Sequence, residues 1–204
     1  MIAVTTSGPA SVLAIRPKIF IACAFLLFSP GSAGHGTEPH GDASELGEAA
    51  VGAVHFENTC ADPVKGKFNR AVALLHSFWY SAAIQTFEEV LLADPDCAMA
   101  EWGIALSHWG NPLATKRGKE MLAQGAKAVG RAQSLTTKSP REQMYIDAVA
   151  ELYTDFSTTD DLERARRYEQ AMERLAARYP DDPEAVIFYA VSLNGTADRA
   201  LPDS

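Results

Sequence analysis

Five side chains beyond the first fifty residues could supply imidazole and thiolate to a metal: His55, Cys60, His76, Cys97 and His108. Imidazole and thiolate are the donors that zinc and copper prefer, so these five define a candidate metal site. No two of them stand at C-x-x-C or H-x-x-x-H spacing, and the histidines read better as partly buried, hydrogen-bonded helix residues. A metal would also require both cysteines reduced. The competing chemistry is a Cys60 to Cys97 disulfide, which closes a loop of 36 intervening residues and would stabilise by roughly 3 to 4 kcal/mol if unstrained. Two unpaired thiols, one packed as a small hydrophobe, are the third reading. His35 and His40, in GHGTEPHGD, could scavenge a metal loosely but are expected to be solvated linker residues.

Beyond these residues, little points to catalysis. The sequence holds no G-x-S-x-G, H-E-x-x-H, P-loop or dinucleotide fingerprint. The acidic pairs Glu88-Glu89, Asp160-Asp161 and Asp181-Asp182 fall on a helix surface or at helix ends, where first-turn carboxylates suit the macrodipole without reacting. No cofactor and no enzymatic activity are expected. The formal net charge of -8 gives no general attraction to a phosphate backbone, so nucleic acid is an unsuitable partner.

The compartment decides which thiol chemistry applies. Residues 1–33 lack acidic side chains and run in the order of an export signal: Arg16 and Lys18, then the apolar stretch Ile19 to Phe28, then Gly31-Ser32-Ala33. Ten apolar residues are far short of the roughly 18 needed to span a bilayer. Cleavage is expected after Ala33, with no stable membrane insertion afterwards. The mature chain would keep 16 basic and 26 acidic residues, a net charge of -10. Cys23 lies inside the apolar run rather than ending it, which argues against a lipoprotein signal. The expected location is periplasmic or secreted, where thiols can pair.

The elements that position these residues are helices. Residues 34–62 lack a sustained period and read as a flexible leader that becomes ordered near His55 and Phe56. Apolar spacings of three and four then predict helices over Phe68 to Tyr80, Ser81 to Ala93, Cys97 to Trp109 and Lys116 to Leu135. Phe78 and Trp79 fall on the buried stripe of the first. Ser139-Pro140-Arg141-Glu142 supplies a cap, a first-turn proline and an acidic residue, starting a helix to about Phe156. A sixth helix runs to Tyr179, and Pro183 opens a seventh through Leu193. No strand is expected. Five aromatics, Phe78, Trp79, Tyr80, Trp102 and Trp109, gather on the first three helices; most serve the core, and Tyr80 and Trp109 are candidates to line a binding groove.

The helices carry a repeat. A tetratricopeptide (TPR) unit is 34 residues of helix, turn and helix, with small residues at the crossing and a closing proline. With Pro95 as that proline, Ala71 and Ala83 fall on the small positions and Phe87 on the aromatic one. Ala98 and Ala105 continue the register, and a second boundary at Pro180 sets Tyr189 and Ala190 at the equivalent places. Tyr168 stands where a small residue is expected. Any helical bundle needs small crossings and terminal prolines, but four matches in one register favour the repeat.

The stretch with HSFWY and DPDCAMAEWGIA resembles a bacterial TPR family of largely unassigned function. The resemblance covers about His55 to Asp198 and is specific in its first half. It implies an all-α, right-handed α-solenoid of antiparallel helix pairs, here about seven helices over residues 63–198, followed by a tail at 199–204. Family members continue into further repeats and a histidine-containing segment, so the chain is expected to be a truncated member. The expected function is an exported scaffold that binds a protein or peptide in its groove, with Cys60 and Cys97 as a structural staple. The alternative is a metal-handling or enzymatic protein built on the five-residue cluster.

Overall fold

The computed structural model describes residues 51–114, 116–136 and 138–197. The expected signal at 1–33, most of the leader with His35 and His40, and the tail at 199–204 lie outside the described residues. Those described are all helical and contain no strand. A 3-10 turn, Asp62–Val64, leads into α1 (Lys65–His76), α2 (Tyr80–Ala93), α3 (Ala98–Trp109), α4 (Lys119–Ser134), α5 (Pro140–Glu151), α6 (Asp161–Arg178) and α7 (Pro183–Thr196). Each helix packs on its sequence neighbour, and α3 also touches α1 and α5. No helix among the described residues is long and apolar enough to cross a membrane.

Small residues set the approach of the helices. Ala71, Ala83, Ala98 and Ala105 are all buried, and so is Phe87, as the repeat register predicts. The closest approach lies at a glycine. A Cβ on Gly103 would meet the Phe87 ring at 2.2 Å, so α2 and α3 pack at this distance only because the side chain is hydrogen. Gly125 does the same for the Tyr153 ring. It looks in sequence like a weak point of α4, yet it is the socket for the turn after α5.

Three expected elements differ in the structure. The first helix stops at His76 rather than Tyr80, because Phe78 adopts a left-handed conformation at φ 61°. Trp79 N–H donates to the Leu74 carbonyl and Phe78 N–H to that of Leu75, forming a Schellman cap. Glycine normally occupies that left-handed position. Phe78 and Trp79 therefore leave the core, and Phe78 is 59% exposed. The fifth helix ends at Glu151, short of Phe156, in turns that include the left-handed Asp155. In α7 the buried residues are Glu184, Ala185, Phe188 and Ser192, while Tyr189 is half-buried and Ala190 exposed, so the repeat register does not carry into that helix.

The end of the expected leader belongs to the packed body. Phe56 is 2% exposed, with its ring 5.7 Å from Phe68 of α1, 5.5 Å from Trp102 of α3 and 5.1 Å from Tyr145 of α5. Polar contacts fix the backbone around it. Phe56 N–H donates to Asn69 Oδ1 at 3.1 Å, and Thr59 N–H donates to Glu142 Oε1 at 2.7 Å. Glu142 also accepts from Ser139 N–H, closing the capping box of α5. Arg141 donates to the Glu57 carbonyl and to Asp182 Oδ2, which also accepts the Tyr145 hydroxyl. Segment 56–60 thus lies across the faces of α1, α3 and α5.

Two substitutions test this account by denaturant unfolding. Phe56→Ala empties a site enclosed by three helices and is expected to cost about 3 to 5 kcal/mol. Phe78→Gly is expected to stabilise by up to about 1 kcal/mol, because glycine accepts the left-handed cap without strain while only the partial cover of a 59% exposed ring is lost.

Candidate functional site

The cysteines are joined. Cys60 and Cys97 form a disulfide that ties the 56–60 segment to the start of α3. Asp94 lies beside it and accepts the Ala61 N–H at 2.7 Å. Cys60, Asp94 and Cys97 are the one group among the described residues with metal-compatible spacing, but their sulfurs are bonded to each other and neither is a thiolate.

The five-residue metal cluster is not assembled. His55 is exposed, with its ring 3.9 Å from Glu57. His76 sits on α1 with Nε2 2.7 Å from Glu184 Oε2 of α7, and its ring stacks on Phe188 at 4.9 Å. His108 stands on α3 in the fields of Glu88 and Arg131. The physical reason is placement on separate elements: each imidazole already has its own neighbours, and the thiols have combined.

The two groove candidates do come together. Tyr80, at the start of α2, and Trp109, at the end of α3, line a cavity of about 70 Å³ whose other walls include Phe78, Tyr168 and Phe188. Trp109 is a wall rather than an exposed contact, for its face is covered by the Arg117 guanidinium 3.5 Å from the ring centroid. Tyr80 is half-buried, and its hydroxyl is fully enclosed with no hydrogen-bond partner among the described residues. Burial pushes that hydroxyl up to about 12, against a smaller downward pull from Arg117. Such a donor normally has a partner, because leaving it unmade costs roughly 1 to 3 kcal/mol.

A second cavity of about 290 Å³ adjoins the first and shares Pro112, Ala165 and Gly195 with it. Its lining adds Leu113, Arg117, Asp161, Leu162, Arg166 and Thr196. Arg117 organises this end of the molecule. It donates from Nε to the Trp109 carbonyl, from Nη1 to Ala114 and from Nη2 to Asn111, wrapping the loop after α3 around its guanidinium. Burial pulls Arg117 below the usual arginine range, opposed by Asp161.

Sequence reasoning missed Arg117, Phe188 and the role of Phe78. Tyr168 was the available signal: a large residue at a small-residue position is what a helix needs to wall a cavity. No protein-family model, curated protein or solved structure matches this chain.

His108 provides a pH test. Burial is the largest influence on it and lowers its pKa below 6.5, outweighing the upward pull of Glu88. The unfolded chain therefore binds the proton more readily, so this contribution to stability is complete above about pH 6.5 and declines as pH falls below it. Thermal midpoints measured from pH 7.5 to 5.5 are expected to fall, and His108→Gln is expected to flatten part of that fall.

Proposed function

We propose that this chain is an extracytoplasmic TPR-type α-solenoid scaffold that binds a protein or peptide partner and performs no catalysis of its own. The sequential packing of α1 to α4, the buried alanines at the crossings and the closing Pro95 support the repeat reading. The export reading rests on residues 16–33 of the sequence, and a disulfide is in keeping with it.

The observation that carries a binding role is Phe78. A phenylalanine held at positive φ, largely exposed, at the rim of an apolar cavity opposes both backbone preference and the hydrophobic effect. An exposed ring in that position is suited to contact with a partner. The inner face of α1, α3 and α5, where a repeat array would hold an extended peptide, is already filled by the chain's own segment around Phe56. Partner contact therefore moves to the cavity beside Phe78, Tyr80 and Trp109. The metal-handling alternative draws no support from the separated histidines.

The test uses Ala165, which lines both cavities. A panel of N-acetylated tetrapeptides, each with one Val, Leu or Ile, is titrated into the full chain by calorimetry. Binding is expected below about 1 mM and is expected to weaken at least tenfold in Ala165→Leu, whose side chain fills the shared wall. Absence of binding, or equal binding to Ala165→Leu with an unchanged thermal midpoint, would sink the reading.

A further inference from the structure

A carboxylate stands against the disulfide. One oxygen of Asp94 and the sulfurs of Cys60 and Cys97 all lie within 4.8 Å of one another. The backbone fixes this arrangement from both sides. Asp94 follows α2 and Cys97 precedes α3, and Cys97 N–H donates to the Asp94 carbonyl at 3.2 Å, so Asp94-Pro95-Asp96-Cys97 is a closed turn. Cys60 N–H donates to Asn58 Oδ1 at 3.1 Å, and the next residue, Ala61, donates its N–H to Asp94 Oδ2 at 2.7 Å. Phe56 in its three-helix pocket and Thr59 N–H on Glu142 anchor the same segment. Contacts other than the sulfur–sulfur bond therefore hold Cys60 near Asp94 and Cys97.

The turn D-x-x-C has the spacing of a C-x-x-C metal turn with a carboxylate in the first position, and Cys60 adds a sulfur from another segment. While the sulfurs are bonded to each other, only Asp94 can serve a cation. Reduction changes the donor set: a dithiol gives two electrons and two protons, the sulfur–sulfur bond opens to two thiols, and the dithiol closes to its own disulfide. A divalent cation then displaces the two thiol protons to solvent. Two thiolates and a carboxylate this close repel one another, and the cation supplies the charge that holds them together. Two sulfurs and an oxygen in a tetrahedral set suit zinc better than copper(I), which prefers sulfur alone. Both cysteines are buried, whereas Asp94 is half-buried and Ala61 exposed, so solvent reaches the carboxylate side and water completes the tetrahedron.

We infer that Cys60, Asp94 and Cys97 form a zinc site in the reduced chain. Zinc and the disulfide are then alternative, mutually exclusive ties between segment 56–60 and the start of α3. No histidine takes part in it. None of the three residues lines the two cavities described above, so the site stands independently of the partner-binding reading.

The full chain carrying Cys23→Ser, whose only remaining cysteines are Cys60 and Cys97, is tested oxidised and after reduction. A water-soluble phosphine replaces the dithiol, which would itself bind zinc, and leaves as its oxide. Zinc is titrated in competition with a chromophoric chelator, and cobalt(II) serves as the spectroscopic probe. The reduced chain is expected to bind one zinc with Kd below about 1 μM and the oxidised chain at least ~100-fold more weakly. Cobalt in the reduced chain is expected to show thiolate-to-metal charge-transfer absorption. Asp94→Asn keeps an acceptor for the Ala61 N–H and is expected to weaken zinc by ~10-fold or more, while His55→Gln, His76→Gln and His108→Gln each leave it unchanged. Zinc is also expected to raise the thermal midpoint of the reduced chain, which ties binding to the folded state. Equal zinc affinity in the oxidised and reduced chains, or in Cys97→Ser and its parent, overturns the site. So does equal affinity in Asp94→Asn, or a reduced chain that loses its helical circular dichroism and does not regain it with zinc.

Discussion

Three helices of this protein converge on a phenyl ring that belongs to none of them. Phe56 precedes α1, yet it fills the space where α1, α3 and α5 would otherwise face one another across a gap. A ring in that position buries on the order of 150 to 250 Å², far more than the alanines at the helix crossings contribute. The rest of the arrangement follows from keeping the ring there. Asn69, Glu142 and Arg141 bond the backbone on either side of it, and the disulfide fixes Cys60, four residues on, to the start of α3. The face shared by α1, α3 and α5 is closed by covalent and non-covalent means together.

That closure explains why the chemically unsettled part of the molecule lies elsewhere. Around Phe56 the buried carboxylates are matched: Glu142 receives three donors, and Asp182 receives Arg141, Tyr145 and a helix N–H, although the Trp102 indole N–H beside them has no acceptor among the described residues. Around Trp109 the polar groups are not. Two guanidiniums lean on one carboxylate, Arg164 Nε has no acceptor, and the Tyr80 hydroxyl points at nothing. Native interiors rarely leave several polar groups unsatisfied in one place. The two clusters thus differ in charge: the carboxylates around Phe56 each collect several donors, whereas the two guanidiniums around Trp109 share one carboxylate.

The helices were legible in the sequence because their signals are local. Apolar spacing, the Ser139 cap and the prolines at 95, 140 and 183 each act within one or two turns, and among the described residues seven α-helices appear where those signals lie. The all-α class follows from the same signals. The end of the first helix was not legible, since periodicity continues through Phe78 and Trp79 and no residue type there announces a left-handed cap. Of the candidate site residues, Tyr80 and Trp109 share a cavity, whereas the histidines grouped with the cysteines lie apart, because shared ligand chemistry says nothing about distance in space. Arg117 gave no signal at all: its function comes from three carbonyls of the preceding loop converging on it, which only the folded backbone reveals.

Glu142 ties the start of α5 to Thr59, 83 residues earlier. Helix pairs such as α1 with α2 and α3 with α4 rest on short-range contacts and can assemble as soon as they are made, but the docking of Phe56 must wait for Tyr145. Among the first of the described residues to be made, Phe56 is among the last to be placed. Until α5 docks, Phe68 and Trp102 lack that cover, and Cys60 and Cys97, 37 residues apart, can pair without it. The staple is thus able to hold the entry segment in register early, so that a long-range closure becomes a short-range one by the time α5 arrives.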